Sequence, residues 1–184
     1  MNNSTEGVTL YSGFITDLLR SYENLFAMRS LFEMCEHLDL SNPTSPVPMQ
    51  LYNDMCDHIE SKLGPVSIRR AGVEIGKRAY LQMVETKLIS SNPTPQEILQ
   101  GLKVIADTMV QDTNGRGWTI IEKENNRMVM RRTQTFNASL QEGIIASLVK
   151  QSSHANSVNI KYLRSVKNGD EYDDYEITWS KDVL

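Results

Sequence analysis

The spacing of apolar residues changes near residue 114, and this change limits the folds that the chain can adopt. Before residue 114 apolar residues recur every three or four positions, which is the period of an amphipathic helix. After it they mostly alternate with polar residues, which is the period of a half-buried strand. A run of helices followed by a run of strands is typical of an α+β fold.

Prolines, glycines and caps at the breaks in this pattern predict where each element lies. The predicted helices of the first part cover 8–24, 26–38, 49–63, 66–86 and 95–110, and the segment 41–48 is a predicted loop. The second part is predicted to form strands at 117–123, 127–134, 157–164 and 172–180, with a helix at 137–151. The prediction is one α+β domain over 1–184, with a helical subregion at 8–111 followed by a ββαββ antiparallel sheet with a crossing helix at 117–180.

Two helix starts carry a local signal of their own. Thr94 can cap the helix that follows, Pro95 suits its first position, and Glu97 completes a capping box. The helix over 137–151 can be capped by Asn137 or by Ser139.

Composition excludes several classes of protein. Of the 184 residues 40% are hydrophobic and 23% are charged, enough apolar material for one sizeable core. The net charge of −4 argues against a general nucleic-acid binder, so no nucleic-acid partner is expected. Two cysteines fit a reducing compartment, and no apolar run approaches the roughly 18 residues that span a bilayer. We therefore expect a cytoplasmic protein with no membrane span and no secretory signal.

The predicted helix over 66–86 carries an unusual stripe of small residues. Its members are Ile68, Ala71, Gly72, Ile75, Gly76, Ala79 and Met83. Two glycines four positions apart each cost a helix roughly 1 kcal/mol relative to alanine. They therefore indicate the close approach of another helix or of a ligand.

Nine methionines are many for this length, and methionine lines adaptable binding surfaces as well as cores. A pocket between the small-residue helix and the sheet is one interpretation, and a plain core is the other. The predicted ligand-binding residues are Gly72, Ile75, Gly76, Met83, Met109, Met128 and Met130.

Four segments resemble one superfamily, which contains heme nitric oxide/oxygen-binding domains, 4-vinyl reductase-type domains and transport-protein-particle subunits. LYSGFITDLLRSYENLF is similar to its first helix pair, and RRAGVEIGKRAYLQM to its central helix. RMVMRRTQTFNASLQEGIIASLVKQ and VNIKYLRSVKNGDEYDDYEITW resemble the strands and helix that close those domains. The resemblance implies their fold and a ligand-binding or sensor role.

The chain departs from the heme-binding members of that superfamily. They ligate iron through a histidine on a helix before the sheet, and residues 80–111 contain none. They hold the heme propionates with tyrosine, serine and arginine, where this chain has Arg131, Thr133 and Thr135. Conventional histidine-ligated heme is therefore not expected, and the cofactor is otherwise left open. The cysteine positions of 4-vinyl reductase-type members fall near Ala138 and Asp173, so no thiolate metal centre is expected there.

Cys-x-His occurs twice, at Cys35–His37 and at Cys56–His58. Residues two apart on a helix point in nearly opposite directions, so neither pair can share one zinc ion without local unwinding. We expect both cysteines in the core, the histidines near the surface, and His154 exposed to solvent.

An acidic cluster lies within 170–176 and lacks the spacing of a calcium-binding loop. Arg131 and Arg132, on the neighbouring predicted strand, can pair with this cluster or bind an anionic ligand. Pairing is the expected outcome.

The sequence contains no G-x-S-x-G and no glycine-rich phosphate loop. We therefore predict no catalytic residues and no metal ligands, and we do not expect the protein to be an enzyme. We expect a small-molecule sensor or ligand-binding signalling module with its pocket between helices and sheet, binding a small hydrophobic ligand or a protein partner. One alternative is a non-catalytic protein-interaction or dimerisation subunit, and a further one is an atypical heme-based gas sensor with cysteine or methionine as ligand. We also expect a homodimer to which the helices at 8–24 and 26–38 contribute.

Overall fold

The computed structural model describes residues 4–181 and divides them into a helical part and a sheet part. The helices are α1 (Gly13–Arg20), α2 (Arg29–Cys35), α3 (Met49–Leu63), α4 (Pro65–Glu85), α5 (Pro95–Met109) and α6 (Ala138–Lys150). The strands are β1 (Thr9–Tyr11), β2 (Pro46–Pro48), β3 (Val110–Gln111), β4 (Trp118–Glu124), β5 (Arg127–Arg132), β6 (Ser157–Arg164) and β7 (Asp173–Ser180). The predicted α+β class is confirmed.

The larger sheet has the predicted ββαββ arrangement. Its strands are antiparallel and lie in the order β4-β5-β7-β6, with α6 crossing between β5 and β6. The buried side chains Met128, Met130, Tyr175 and Ile177 of the two central strands form its core.

A second, smaller sheet was not predicted. Its order is β2-β1-β3, and it uses residues assigned to the helix at 8–24 and to the loop at 41–48. The helix prediction is wrong before Gly13, because Leu10 is buried at the centre of a three-residue strand too short to show alternation. Pro46 and Pro48 are tolerated in β2 because it is an edge strand, which pairs with β1 alone.

The predicted helix at 26–38 is also too long. A 3₁₀ turn covers Phe26–Met28, and α2 begins at Arg29 and ends at Cys35. Phe26 is 87% exposed, so this apolar residue does not mark a buried helical face.

Side-chain caps explain where α5 and α6 begin. The Thr94 hydroxyl accepts a hydrogen bond from the Glu97 amide at 3.2 Å, as predicted. The Glu97 carboxylate instead accepts bonds from the amide and hydroxyl of Ser90, so the capping box is only half formed. The Asn137 side chain, and not that of Ser139, caps α6 by accepting from the Leu140 amide at 3.0 Å.

Helices α4 and α6 cross at a contact made by glycines. A Cβ added at Gly72 would overlap the carbonyl oxygen of Leu140, and one added at Gly143 would overlap that of Arg69. A Cβ added at Gly76 would lie 2.8 Å from the Ile144 carbonyl oxygen. Of the two alternatives for the glycine pair, close approach of another helix is the one found at this crossing.

No helix within residues 4–181 is both long and apolar enough to cross a membrane.

Candidate functional site

A cavity of about 90 Å³ lies where α1, α4, α5 and α6 meet the start of β4. The cavity therefore lies between the helical part of the chain and the sheet part. Most of the side chains that line it are apolar: Phe14, Ile75, Ala79, Leu102, Ile105, Ala106, Met109, Val110, Trp118, Phe136 and Ile144.

Helix α5 supplies one wall of the cavity. Leu102, Ile105, Ala106 and Met109 follow the spacing that places residues on one face of a helix. Leu102 is the most buried of these four, at 8% exposure, and none of the α5 residues that line the cavity is polar. The wall therefore favours apolar contents.

Aromatic contacts hold two other walls in place. Phe14 and Phe136 both pack against the ring of Tyr52, with centroid distances of 5.7 and 6.0 Å. Trp118 packs on Tyr175 at 5.4 Å. Tyr52 and Tyr175 are fully buried, so these walls are fixed by the core behind them.

Asp17, Arg78 and Gln82 lie together at one side of the cavity, whereas Gln141, the fourth polar side chain that lines it, is buried on α6. Arg78 donates to Asp17 through Nε to Oδ1 at 2.8 Å, and through Nη2 to the Asp17 carbonyl oxygen at 3.0 Å. Each of these side chains is about one-third exposed, at 33% and 31%. Gln82 lines the cavity beside them and is exposed, so this is the side that opens to solvent.

The predicted ligand-binding residues divide into groups in the structure. Ile75 and Met109 line the cavity. Gly72 and Gly76 contact α6 instead, and Met83 is buried with its sulfur against Gly101. Met128 and Met130 are buried in the core on β5.

Sequence reasoning missed Phe14, Trp118, Phe136 and the Asp17–Arg78 pair. The two members of that pair are 61 positions apart in the chain, and no local pattern connects them. Spacing alone therefore gave no signal for this part of the site.

The residues of the cavity do not fit a heme. Histidine, cysteine, methionine and tyrosine are the axial ligands that proteins use, and Met109 is the one such side chain among the residues that line it. Cys35 and Cys56 are buried elsewhere, and burial raises the pKa of both thiols. The volume is also far below the roughly 300–1,000 Å³ of typical small-molecule sites.

The arginines at the start of the 131–135 segment are taken up by ion pairs. Arg131 binds Asp174 through two bonds, of 2.8 and 2.9 Å, and Arg132 binds Asp173 at 2.5 Å with both side chains buried. The predicted pairing of these arginines with the acidic cluster is confirmed. Within residues 4–181 no group of three or more histidine, cysteine or acidic side chains could hold a metal ion.

Comparison with known proteins gives matches in structure but not in sequence. No family model matches the chain, and no curated protein matches it significantly. A mutant H-NOX protein from S. oneidensis in the Fe(II) ligation state superposes with a TM-score of 0.68 at 11% identity, covering 93% of this chain and 97% of that chain. An NMR structure of a mutant H-NOX domain from Shewanella oneidensis in the Fe(II)CO ligation state gives 0.70 at 9% identity, covering 94% and 100%.

A third structure agrees with these two. An unliganded Fe(II) H-NOX mutant from K. algicida gives a TM-score of 0.65 at 12% identity, covering 95% of this chain and 98% of that chain. The chain has the H-NOX fold. At these identities the H-NOX likeness concerns the fold, and the 4-vinyl reductase-type and transport-particle branches of the predicted superfamily stay predictions.

Proposed function

We propose that this protein is a non-catalytic small-molecule sensor module that binds a compact apolar ligand, and not heme, between its helices and its sheet. The observation that carries the proposal is the apolar cavity of about 90 Å³. An apolar cavity of about 150 Å³ stays dry and binds benzene or xenon, so this smaller one suits a ligand of a few heavy atoms. A six-membered ring needs more room than this, and we expect the flexible side chain of Met109 to move aside for it.

The position of the cavity gives such a ligand a way to act on the whole domain. Its walls come from α4 and α5 on the helical side and from α6 and Trp118 on the sheet side. A ligand shifts a conformational equilibrium only when it binds one state more tightly than the other. A ligand here favours the state in which both walls contact it. The H-NOX structures that this chain resembles are of Fe(II) proteins, with and without a ligand, which is consistent with a ligand-binding use of the fold.

A cavity-filling variant tests the proposal. Ala106→Leu places three additional carbon atoms at the cavity wall, whereas Ala146→Leu makes the same change on α6 at a residue that does not line it. We expect benzene to raise the melting temperature of the wild type and of Ala146→Leu, and not that of Ala106→Leu. A ligand at one hundred times its Kd stabilises a protein by about 2.7 kcal/mol, which a melting curve resolves. No shift in the wild type, or an equal shift in both variants, would contradict the proposal.

A surface patch supports the second candidate function, that of a dimerisation subunit. Leu25, Phe26 and Phe32 are exposed by 45%, 87% and 38%, and together they line a hollow on the surface. Exposed apolar residues that cluster in this way are typical of protein interfaces. The homodimer, a protein partner and the cytoplasmic location stay predictions.

A further inference from the structure

A groove adjoins the cavity and shares a wall with it. The groove encloses about 870 Å³ between α1, the segment 40–44, the end of α4, and α5. Asp17, Gln82, Ile105 and Met109 line both spaces. These shared side chains therefore form the wall between the cavity and the groove.

The charges around this wall are mostly positive. Arg20 and Lys87 line the groove, and Arg78 lines the cavity beside it. Asp17 is the acidic residue among those that line the two spaces, and it accepts from Arg78 at 2.8 Å with Arg20 at 3.8 Å. Three cationic side chains and one carboxylate thus line the two spaces, in a chain whose net charge is −4. This surface attracts an anion although the protein as a whole is acidic.

We propose that the ligand of this site is a small apolar carboxylate of about the size of benzoate; this rests on the function proposed above. Its apolar part occupies the cavity, and its carboxylate lies in the groove beside Arg78, Arg20 and Lys87. The carboxylate stays in contact with water there, so its burial carries little desolvation penalty. The flexible side chains of Met109 and Gln82 are the parts of the wall that move to admit it.

The probes that test this inference share one ring and differ in charge. Benzoate, benzyl alcohol and benzylamine are titrated into the full chain by calorimetry at low and high salt. We expect benzoate to bind about tenfold more tightly than benzyl alcohol at low salt, because a charge-assisted hydrogen bond adds that much affinity. The difference shrinks at high salt, since the cationic side chains are partly exposed. Benzylamine binds more weakly than either.

A variant at Lys87 separates loss of charge from loss of fold. Lys87 has a φ of +58°, in the left-handed region that favours glycine at the end of a helix. Lys87→Gly therefore removes the charge while it relieves backbone strain, and its melting temperature stays the same or rises. We expect it to weaken benzoate binding several-fold and to leave benzyl alcohol binding unchanged.

A matched pair of arginine variants controls for the total charge. Arg20→Gln removes a charge from the groove, and Arg70→Gln removes one from the exposed face of α4. We expect Arg20→Gln alone to weaken benzoate binding. Equal effects of the two variants, or equal affinity for benzoate and benzyl alcohol, would overturn the carboxylate inference while the apolar-ligand function stands. If none of the three probes binds, the proposed function fails and the inference fails with it.

Discussion

The crossing of α4 and α6 allows one prediction whose sign separates helix propensity from packing. Gly72→Ala changes a residue in the interior of α4, where alanine favours the helix over glycine by roughly 1 kcal/mol. Propensity alone therefore predicts that the variant is more stable than the wild type. In the structure, however, the added carbon would overlap the Leu140 carbonyl oxygen and lie 3.1 Å from the Cα of Gly143.

Both of these contacts are with backbone atoms, so no side chain can rotate away and the two helices must separate. Overpacking of this kind costs typically about 1–3 kcal/mol, and contact with backbone places Gly72→Ala at the upper end or beyond. After subtraction of the gain in propensity, we expect a loss of about 2 kcal/mol in the free energy of unfolding. The separation also weakens every other contact along the crossing, because a gap of about 0.5–1 Å already removes a quarter to a half of the dispersion energy.

Urea denaturation of Gly72→Ala, with Gly101→Ala as the control, measures this effect. Gly101 lies inside α5, and its added carbon would meet side-chain atoms only, at 2.6 Å from the Met83 sulfur and 3.1 Å from Ile89. The methionine can move, so we expect Gly101→Ala to be close to the wild type. Gly76→Ala, whose carbon would lie 2.8 Å from the Ile144 carbonyl oxygen, should fall between the two. A Gly72→Ala protein as stable as the wild type would refute the close crossing.

Heme binding, assembly and the Asp112 carboxylate each allow one further prediction. Titration with hemin should give no stoichiometric Soret band of a histidine-ligated heme; a clean band lost on replacing one of the three histidines would contradict this. Sedimentation at tens of micromolar, an ordinary range for stable interfaces, should show a dimer that Phe26→Ser shifts towards monomer, and a wild type that is monomeric throughout would count against it. Burial alone would raise the pKa of Asp112, but the hydrogen bonds that it accepts from Arg116, the Asn114 amide and Gln134 outweigh burial, so the pKa is lowered. Asp112 therefore stabilises the fold above its usual pKa, and this stabilisation is lost as the pH falls through the lowered pKa. Asp112→Asn should lower the free energy of unfolding by about 1–3 kcal/mol at pH 7 and by little in strong acid. A difference in stability between variant and wild type that does not change with pH would rule this out.

The parts of the fold that the sequence predicted well are those with a local cause. Strands β6 and β7 were predicted to within one residue, because apolar and polar residues alternate along both. The start of α5 follows from Thr94 and Pro95, which act within a single turn. Such features depend on residues that are neighbours in the chain.

The parts that could not be predicted depend on contacts between distant segments. Strand β1 is three residues long, and it exists because β2 and β3 pair with it from elsewhere in the chain. The cavity likewise brings Phe14, Trp118 and Phe136 together from three separate segments. Spacing predicts which residues share a face of one element, but not which faces meet.

We propose that the cavity between helices and sheet holds a small apolar ligand in place of heme. A crystal structure under xenon pressure tests it most directly, because xenon enters small dry apolar cavities. We expect a xenon peak among Leu102, Ile105, Ala106 and Trp118, with the fold otherwise unchanged. A structure in which side chains fill this space and no xenon enters, or in which a heme occupies it, would contradict this proposal.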